Sequence, residues 1–558
     1  RILTIAEQAV AGLEEEHASR PDSERLHLLA DSVFNKPYYQ RSYKTGTVHI
    51  NKQLPLIDCF AAPCIEACPA MQKAPPYIRA LADQKPDLGL EIIFKDNPLP
   101  NITGILCDHQ CMYACSRNDY EGPIEIREIK LRCALTAHSK PKTKVPVLNK
   151  GKTAILGSGP AGLACAHYLA LNGYPVTVFE QTSCIGGIPA SVIPKFRITK
   201  ESLQKDIERI QALGVTFIRN ANPTYNELKQ QGFTSIVLAS GTAISKPIDI
   251  KNCTIPIITA LDLLKTLHLE REKTRSFMEQ YQHANTIIVI GGGNTAMDAA
   301  RIASRLPWRP DVYIAYRRTK EEMPADKEEL EAAFADGVKL LELSLPEAVI
   351  QKERPYIVIR KMLLGKPGDD GRRVPYPSDI TELKPCDLII SAIGETADTS
   401  LLDQFNVTHE RGYPLCNPET MMSLSNTEVF VIGDLRRGPS SIIAAEADGK
   451  KAAFAILRTA GIEPVDSLTD TPQNNPKLDT IRMKRGTYQS KIGPRNRNFI
   501  TNEAQRCLSC DVACLRCVET CPNRANVAMP IPVMPGGPFK QPLQILHIDA
   551  LCNECGNC

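Results

Sequence analysis

Fifteen of the chain's 20 cysteines stand in two dense blocks at spacings that suit iron–sulfur ligation. The first block reads Cys59-x4-Cys64-x3-Cys68-Pro69, then Cys107-x3-Cys111-x3-Cys115, then Cys133. The second reads Cys507-x2-Cys510-x3-Cys514-x2-Cys517-x3-Cys521-Pro522 and ends in Cys552-x2-Cys555-x2-Cys558. Thiolate is the natural ligand of cluster iron. The second block is close to the bacterial ferredoxin run C-x2-C-x2-C-x3-C-P, with one gap a residue longer and one additional cysteine. In two-cluster ferredoxins the last cysteine of a run ligates the other cluster. Cys521 is therefore expected to complete the cluster of Cys552, Cys555 and Cys558. The other cluster would take three of Cys507, Cys510, Cys514 and Cys517, with its fourth ligand from the extra cysteine or from beyond residue 558. Structural zinc is the competing chemistry for both blocks, and the x3-Cys-Pro ending argues against it in the second.

Two glycine loops offer a different chemistry. Gly157-Ser158-Gly159-Pro160-Ala161-Gly162 follows an apolar strand and opens a helix. Such a loop brings the backbone close to a pyrophosphate at a helix N-terminus. A second strand ends at Glu180, placed for a ribose 2′-OH. The later loop Gly291-Gly292-Gly293-Asn294-Thr295-Ala296 follows the strand ThrIleIleValIle, 134 residues on. Its next strand ends in Arg317-Arg318 rather than an acid. Arginine pairs with a 2′-phosphate that a carboxylate would repel, so NADPH is expected rather than NADH. The plainer alternative is that one or both arginines only cover the surface.

These motifs need elements to hold them. The chain has 558 residues, a length for three or four domains. Its net charge is only +3, which gives no basic field for nucleic acid. No apolar run is long enough for a membrane span, and no signal peptide is visible. Residue 1 is Arg and the last residue is a motif Cys, so the sequence reads as trimmed at both ends. Cysteine-dense ends around a cysteine-poor centre suit a reducing, cytoplasmic setting rather than a secreted disulfide scaffold. Cys165, Cys184, Cys253, Cys386 and Cys416 read as ordinary interior residues.

The first 148 residues read as helical, with an amphipathic helix at 4–16 after a Thr cap. Short β-branched strands then alternate with helices: Thr153–Leu156, Val176–Phe179, Ile287–Ile290, Val312–Tyr316, Leu388–Ser391 and Val429–Ile432. That alternation implies parallel sheets with crossover helices, an α/β fold. A polar, Pro- and Asn-rich linker runs from about 466 to 498.

Gly186-Gly187-Ile188-Pro189-Ala190-Ser191-Val192-Ile193-Pro194-Lys195-Phe196-Arg197 resembles a flavin-site segment of a known family. So do Tyr316-Arg317-Arg318 with Met323-Pro324, and Val431-Ile432-Gly433-Asp434. The family joins the small subunit of NADPH-dependent glutamate synthase to the N-terminal half of dihydropyrimidine dehydrogenase. The order of parts, with its ferredoxin tail, is similar to a narrower group of iron–sulfur flavoproteins named for selenate reductase. The resemblance spans about residues 40–460 and implies an α/β architecture of two Rossmann-like domains, the NADPH domain inserted in the FAD domain. A helical iron–sulfur domain precedes them and a ferredoxin-like module follows. The expected boundaries are 1–148 (helical iron–sulfur), 149–274 and 395–465 (FAD), 275–394 (NADPH), 466–500 (linker) and 501–558 (ferredoxin-like).

By the same resemblance, Gly157, Gly159, Ala161, Gly162, Glu180, Gly187, Arg197, Gly433, Asp434 and Ser441 would hold FAD. Asp434 would meet the ribityl or pyrophosphate portion, with the helix after Ser440-Ser441 pointing at the flavin. Gly291, Gly293, Asn294, Thr295, Ala296, Arg317 and Arg318 would hold NADPH. Ala239-Ser240-Gly241-Thr242 and Ala392-Ile393-Gly394 match the strand ends where the domains exchange chain, and Ala392 and Gly394 count among the cofactor contacts.

The resemblance also implies two N-terminal 4Fe-4S clusters with shared ligands, and here the chain departs from it. Leu56 stands where the family has a cysteine, and Lys130 where it has a Gln or Glu ligand. An ammonium is no ligand. Cys133, one helical turn on, is the candidate replacement. Seven cysteines then serve eight sites. An incomplete pair of clusters, a three-iron cluster and a single cluster all stay open.

The function implied is electron transfer from NADPH through FAD to the clusters. Beyond them, an upstream domain or partner subunit would carry the acceptor site, for an N-heterocycle or an imino acid. The rivals are a ferredoxin-fed reductase of NADP and a scaffold that binds nucleotide and clusters without turnover.

Overall fold

The computed structural model describes residues 62–137, 145–242, 244–269, 271–368, 371–466, 480, 483–484, 487–488, 498–513, 515–531, 543–553 and 555. Leu56, Cys59, Cys514, Cys558, the helix expected at 4–16 and most of the expected linker lie outside them. Residues 62–509 form one unit, and the described residues from Cys510 onward belong to another.

The first unit opens with the helices Ala74–Ala82, Pro86–Phe94, Pro100–Leu106 and Ile126–Thr136. Three of them carry Pro in the first turn, where its missing N–H is no loss. Tyr77, Ile78, Leu90, Ile93, Ile102 and Ile129 are fully buried among them. The helix Phe499–Gln505 packs on Ala74–Ala82 and Ile126–Thr136. Its Glu503 accepts from the Glu125 N–H at 3.1 Å. Arg506 just beyond it reaches Glu121 at 2.7 Å and the Gly122 carbonyl at 2.8 Å. Arg117 in turn donates to the Arg506 carbonyl at 3.0 Å. Arg117, Glu121, Glu503 and Arg506 are all buried, so each charge needs its partners. Residues 499–509 therefore belong with the helical domain. This corrects the expected module start at 501, because the ion network outweighs proximity to the later cysteines.

A five-stranded parallel sheet follows, in the order Val429–Val431, Ser235–Leu238, Thr153–Leu156, Val176–Glu180, Thr216–Arg219. We call Thr153–Leu156 β1 and the helix Pro160–Leu171 that leaves it α1. Both are buried throughout except at the start of α1. A second parallel sheet runs Ile257–Thr259, Leu388–Ser391, Thr286–Ile290 (β2), Asp311–Ala315, Lys339–Leu341. The helix α2, Asn294–Ser304, leaves β2. The strand at Ile257 and the helix Ala260–Leu269 belong with this sheet, ahead of the expected boundary at 275. A short strand among prolines and isoleucines gave too little periodicity to reveal it. A three-stranded antiparallel sheet, Ser344–Gln351, Pro355–Pro367 and Arg373–Pro385, was not expected at all.

The two chain crossings between the parallel sheets lie side by side. Ile244–Ser245 pairs antiparallel with Glu395–Thr396, and the Lys246 N–H bonds the Gly394 carbonyl at 3.0 Å. The first sheet is closed by the long helix α3, Ile442–Thr459, which packs along α1. The closeness is set by Gly449, where a Cβ would lie 2.4 Å from the Ala161 carbonyl oxygen. In the second unit the hairpin Asn526–Pro530 with Leu543–His547 follows the short helix Arg516–Glu519. No helix among the described residues is long and apolar enough to cross a membrane.

Candidate functional site

The first glycine loop is fitted to its strand neighbours. Gly157 has φ +108°, and a Cβ there would lie 2.4 Å from the Ala239 carbonyl oxygen. At Gly162 a Cβ would lie 2.1 Å from the Gly157 oxygen. At Gly159, the N-cap of α1, nothing stands within 4 Å, and no side chain caps the helix. The first-turn N–H groups of α1 thus meet open space, which is where a pyrophosphate would sit. Gly187 (φ +61°) lies against Gly159, its would-be Cβ 2.6 Å from Gly159 Cα. Gly433 (φ +66°) backs Ala161. These residues fit FAD as a group.

Two of the expected contacts look elsewhere. Glu180 is buried, and both its carboxylate oxygens are in use. Oε2 accepts from Ser158 N–H at 3.1 Å and Ser158 hydroxyl at 2.6 Å, and Oε1 from Thr182 N–H and hydroxyl at 2.9 Å. It stitches the loop rather than presenting a free carboxylate. Arg197, expected at FAD, instead pairs across to the second sheet, with Asp298 at 2.7 Å and Glu329 at 2.6 Å.

Asp434 accepts from the Ser440 N–H at 3.1 Å and hydroxyl at 2.6 Å. Burial pushes its carboxyl up to about 6 despite these bonds. Ser441 caps α3 through the Ala444 N–H at 3.3 Å. Asp448, missed in the sequence, holds the Gly433 N–H at 3.1 Å and pairs with Arg436 and Arg437. An acid inside the apolar stretch of α3 was the signal available.

The second loop has the same plan. Gly291 (φ +149°) underlies Ala392, a Cβ there lying 2.2 Å from its carbonyl oxygen, and Gly293 is an uncapped, open N-cap for α2. Ala296 is fully buried. Gly292 backs onto the Tyr316 ring, which a Cβ would meet at 2.4 Å. Asn294 Oδ1 accepts from the Asp326 N–H at 2.8 Å. Arg317 is exposed and makes no ion pair among the described residues. Arg318 is buried and donates to the Arg373 carbonyl at 2.7 Å. Of the expected pair, Arg317 alone presents a guanidinium suited to a 2′-phosphate. These residues fit NADPH.

A cavity of about 1110 Å³ opens on the second loop and on the head of α3. Gly291, Gly293, Asn294, Thr295, Arg317 and Arg318 line it together with Arg197, Ala392, Gly394 and Ser441. Leu106, Asp108, Gln110 and Tyr113, interleaved with the first cysteine block, line it as well.

Within that block the structure brings Cys68, Cys107 and Cys111 together with Lys130. Burial pushes the Cys111 thiol up to about 12, Cys107 and Cys68 add to the rise, and the Lys130 ammonium opposes it. Cys107 and Cys68 likewise rise by burial and are drawn back by Lys130. Buried thiols gathered round a single cation fit iron, whose charge would make them thiolates. Cys133 does not join them in this way. Its sulfur packs on Gly89, where a Cβ would lie 2.8 Å away, and burial alone lifts its thiol to about 12. It does share a neighbour with the expected ligands, since Cys111, Cys64, Cys68 and Cys133 all act on the buried Tyr77 hydroxyl. Cys64 is buried on the short helix Pro63–Glu66, and Cys115 is partly buried.

In the other block, Cys507 and Cys510 are buried, and Cys517, Cys521, Cys552 and Cys555 are partly so. Burial acts to raise the Cys521 thiol, but N–H groups of Ala525, Asn523, Asn526 and Arg524 win and hold it below its usual value. The Ala525 N–H lies 3.2 Å from its sulfur. Backbone donors on a thiolate suit a cluster ligand.

The comparisons with known proteins agree. Residues 151–449 match the model of the pyridine nucleotide-disulphide oxidoreductases, and residues 47–141 that of dihydropyrimidine dehydrogenase domain II, 4Fe-4S cluster. YgfK of Escherichia coli, an oxidoreductase by its name, is 38% identical over 551 residues, covering 96% of this chain and 51% of its own length. The NADPH-Fe(3+) oxidoreductase subunit beta of Geobacter sulfurreducens is 31% identical over 519 residues, covering 81% and 76%. The NADP(+)-dependent formate dehydrogenase subunit beta of Moorella thermoacetica is 32% identical over 464 residues, covering 76% and 63%. The chain belongs to the pyridine nucleotide-disulphide oxidoreductase family. It is an oxidoreductase, and its cofactors are FAD, NADPH and 4Fe-4S clusters. The chain spans about half the length of the first of these relatives.

Proposed function

We propose that the chain is an electron-input module. Electrons from NADPH leave through FAD and the iron–sulfur clusters toward an acceptor site on a further domain or a partner subunit. The observation that carries this is the shared cavity, lined at once by the second glycine loop, by Ser441 at the head of α3 and by residues between Cys107 and Cys115. Bound FAD and clusters supply the conversion of a two-electron donor into single electrons. The chain's own residues bind and orient. Gly291 and Gly293 floor the nucleotide, Arg317 takes its 2′-phosphate, and Gly157, Gly159 and Gly187 receive the flavin nucleotide. Cys68, Cys107 and Cys111 hold iron, as do Cys64 and Cys115 in the same block. In the tail, Cys521 joins Cys552 and Cys555 at one cluster. The sheet of residues 149–245 and 395–465 carries FAD and that of 257–394 carries NADPH. An acceptor of small-molecule type, such as an N-heterocycle, follows from the family resemblance.

Rapid anaerobic mixing of the loaded protein with NADPH tests the reading. Flavin absorbance should bleach first and cluster absorbance follow. Flavin that stays oxidised ends the enzyme reading. Flavin that bleaches while the clusters stay oxidised ends the module reading.

A further inference from the structure

Glu446 sits inside α3 and is 1% exposed. Neither of its carboxyl oxygens has a hydrogen-bond partner. A buried carboxyl in that state is costly: no hydrogen bond offsets its desolvation, and of the charges around it the Lys130 ammonium opposes the burial while Asp206 adds to it. Its surroundings say what is missing. Ile443 and Ala447, one turn before it and one residue after, pack against Cys107, Cys68 and Ala70. Helical spacing of three and four residues puts 443, 446 and 447 on one face. The charges of Glu446 and Lys130 both act on the Cys68 thiol. Asp108 also stands beside Cys107, 3.7 Å from its sulfur, but its carboxylate is engaged by Cys107 and Gln110; among the described residues Glu446 is the carboxyl near these cysteines whose two oxygens are both unpartnered. Lys130, the cation beside the same three cysteines, has no lone pair to give.

We propose that Glu446 is an oxygen ligand to the iron held by Cys68, Cys107 and Cys111, and so completes that cluster from α3 of the flavin sheet. Ligation releases one proton from Glu446, displaces one water, forms one iron–oxygen bond and moves no electron. The Lys130 ammonium offsets the added negative charge. The role accounts for both orphaned oxygens. It also ties a cluster ligand to the helix whose N-cap, Ser441, lines the nucleotide cavity.

The inference rests on the cluster reading above, and the two fail differently. Cys68→Ser that leaves the iron content and the electron paramagnetic resonance spectrum unchanged removes the cluster reading. Cys68→Ser that loses iron while Glu446→Leu loses none removes only the ligand proposal. The measurement is iron content and paramagnetic resonance of the full chain, oxidised and reduced, with bound flavin as the check of folding. Glu446→Leu should lose one iron from that cluster and gain the signal of a three-iron cluster in the oxidised protein. Glu446→Cys should keep the full iron content and alter the reduced signal, since sulfur replaces oxygen. Should Glu446→Leu not fold, Glu446→Cys decides alone. Iron loss or an unaltered signal in that variant overturns the proposal.

Discussion

The two glycine loops solve one backbone problem with different neighbours. In each, the first glycine passes beneath a strand end, Ala239 or Ala392, so closely that a Cβ would fall within 2.4 Å of a carbonyl oxygen. In each, the N-cap glycine stands over open space. They differ in what surrounds this shared floor. The first loop is braced from behind: by Gly162 against Gly157, by Gly187 against Gly159, by Glu180 through four hydrogen bonds. The second carries alanine at the third position and leaves Arg317 facing the cavity. The contrast predicts a nucleotide held tightly at the first loop and exchanged at the second.

The sharpest break is Gly162→Ala. Its methyl would lie 2.1 Å from a backbone oxygen that cannot yield. We expect loss of ~3 kcal/mol or more, read as a collapsed melting temperature and lost bound flavin. The reverse change in the other loop, Ala296→Gly, should cost only about 1 kcal/mol and keep both nucleotides. Equal losses would erase the contrast.

Next comes Arg317→Ala. NADPH affinity should fall by about ten- to a hundredfold, the worth of a charged hydrogen-bond partner, and NADH affinity should barely move. Calorimetric titration with both nucleotides checks it, and a fall for both alike would place Arg317 outside the 2′-phosphate. Glu180→Gln tests the other side. An amide cannot accept at both ends, so the Ser158 or Thr182 donors are stranded at about 1–3 kcal/mol. Flavin retention should drop while the NADPH Kd stays as it was.

The smallest effect is one of pH. Burial, aided by Glu329 and opposed by Arg197, pushes Asp298 up to about 6. The folded chain therefore binds more protons than the unfolded chain between about pH 4 and 6, and this group's contribution falls as pH rises through that window. Asp298→Asn should flatten that part of the stability profile in urea titrations. An unchanged slope would show that Arg197 keeps Asp298 ionised throughout.

Much of this was legible in the sequence, for stated reasons. Strands such as Thr153–Leu156 and Thr286–Ile290 are buried on both faces, so they read as unbroken apolar runs before their glycines. The ligand-like cysteines announced themselves by spacing. What stayed hidden depends on contacts distant along the chain. Arg197 meets Asp298 across 101 residues, and Arg506 meets Glu121 across 385. Nothing in the sequence showed that the Cys133 sulfur packs on Gly89, 44 residues earlier. Glu446 and Asp448 belong to no motif, and their burial comes from chain distant in sequence, Ala70, Cys68 and Cys107 beside the first and Gly433 beside the second.

The paired crossings at Ile244–Ser245 and Glu395–Thr396 have a further consequence. Everything between them leaves and returns through two adjacent peptide segments bound to each other. In genetic terms the second sheet is a cassette: its excision leaves ends already in register, which a tight turn could splice. The parent sheet would lose no strand, since its last one, Val429–Val431, pairs with Ser235–Leu238 rather than with any part of the insert.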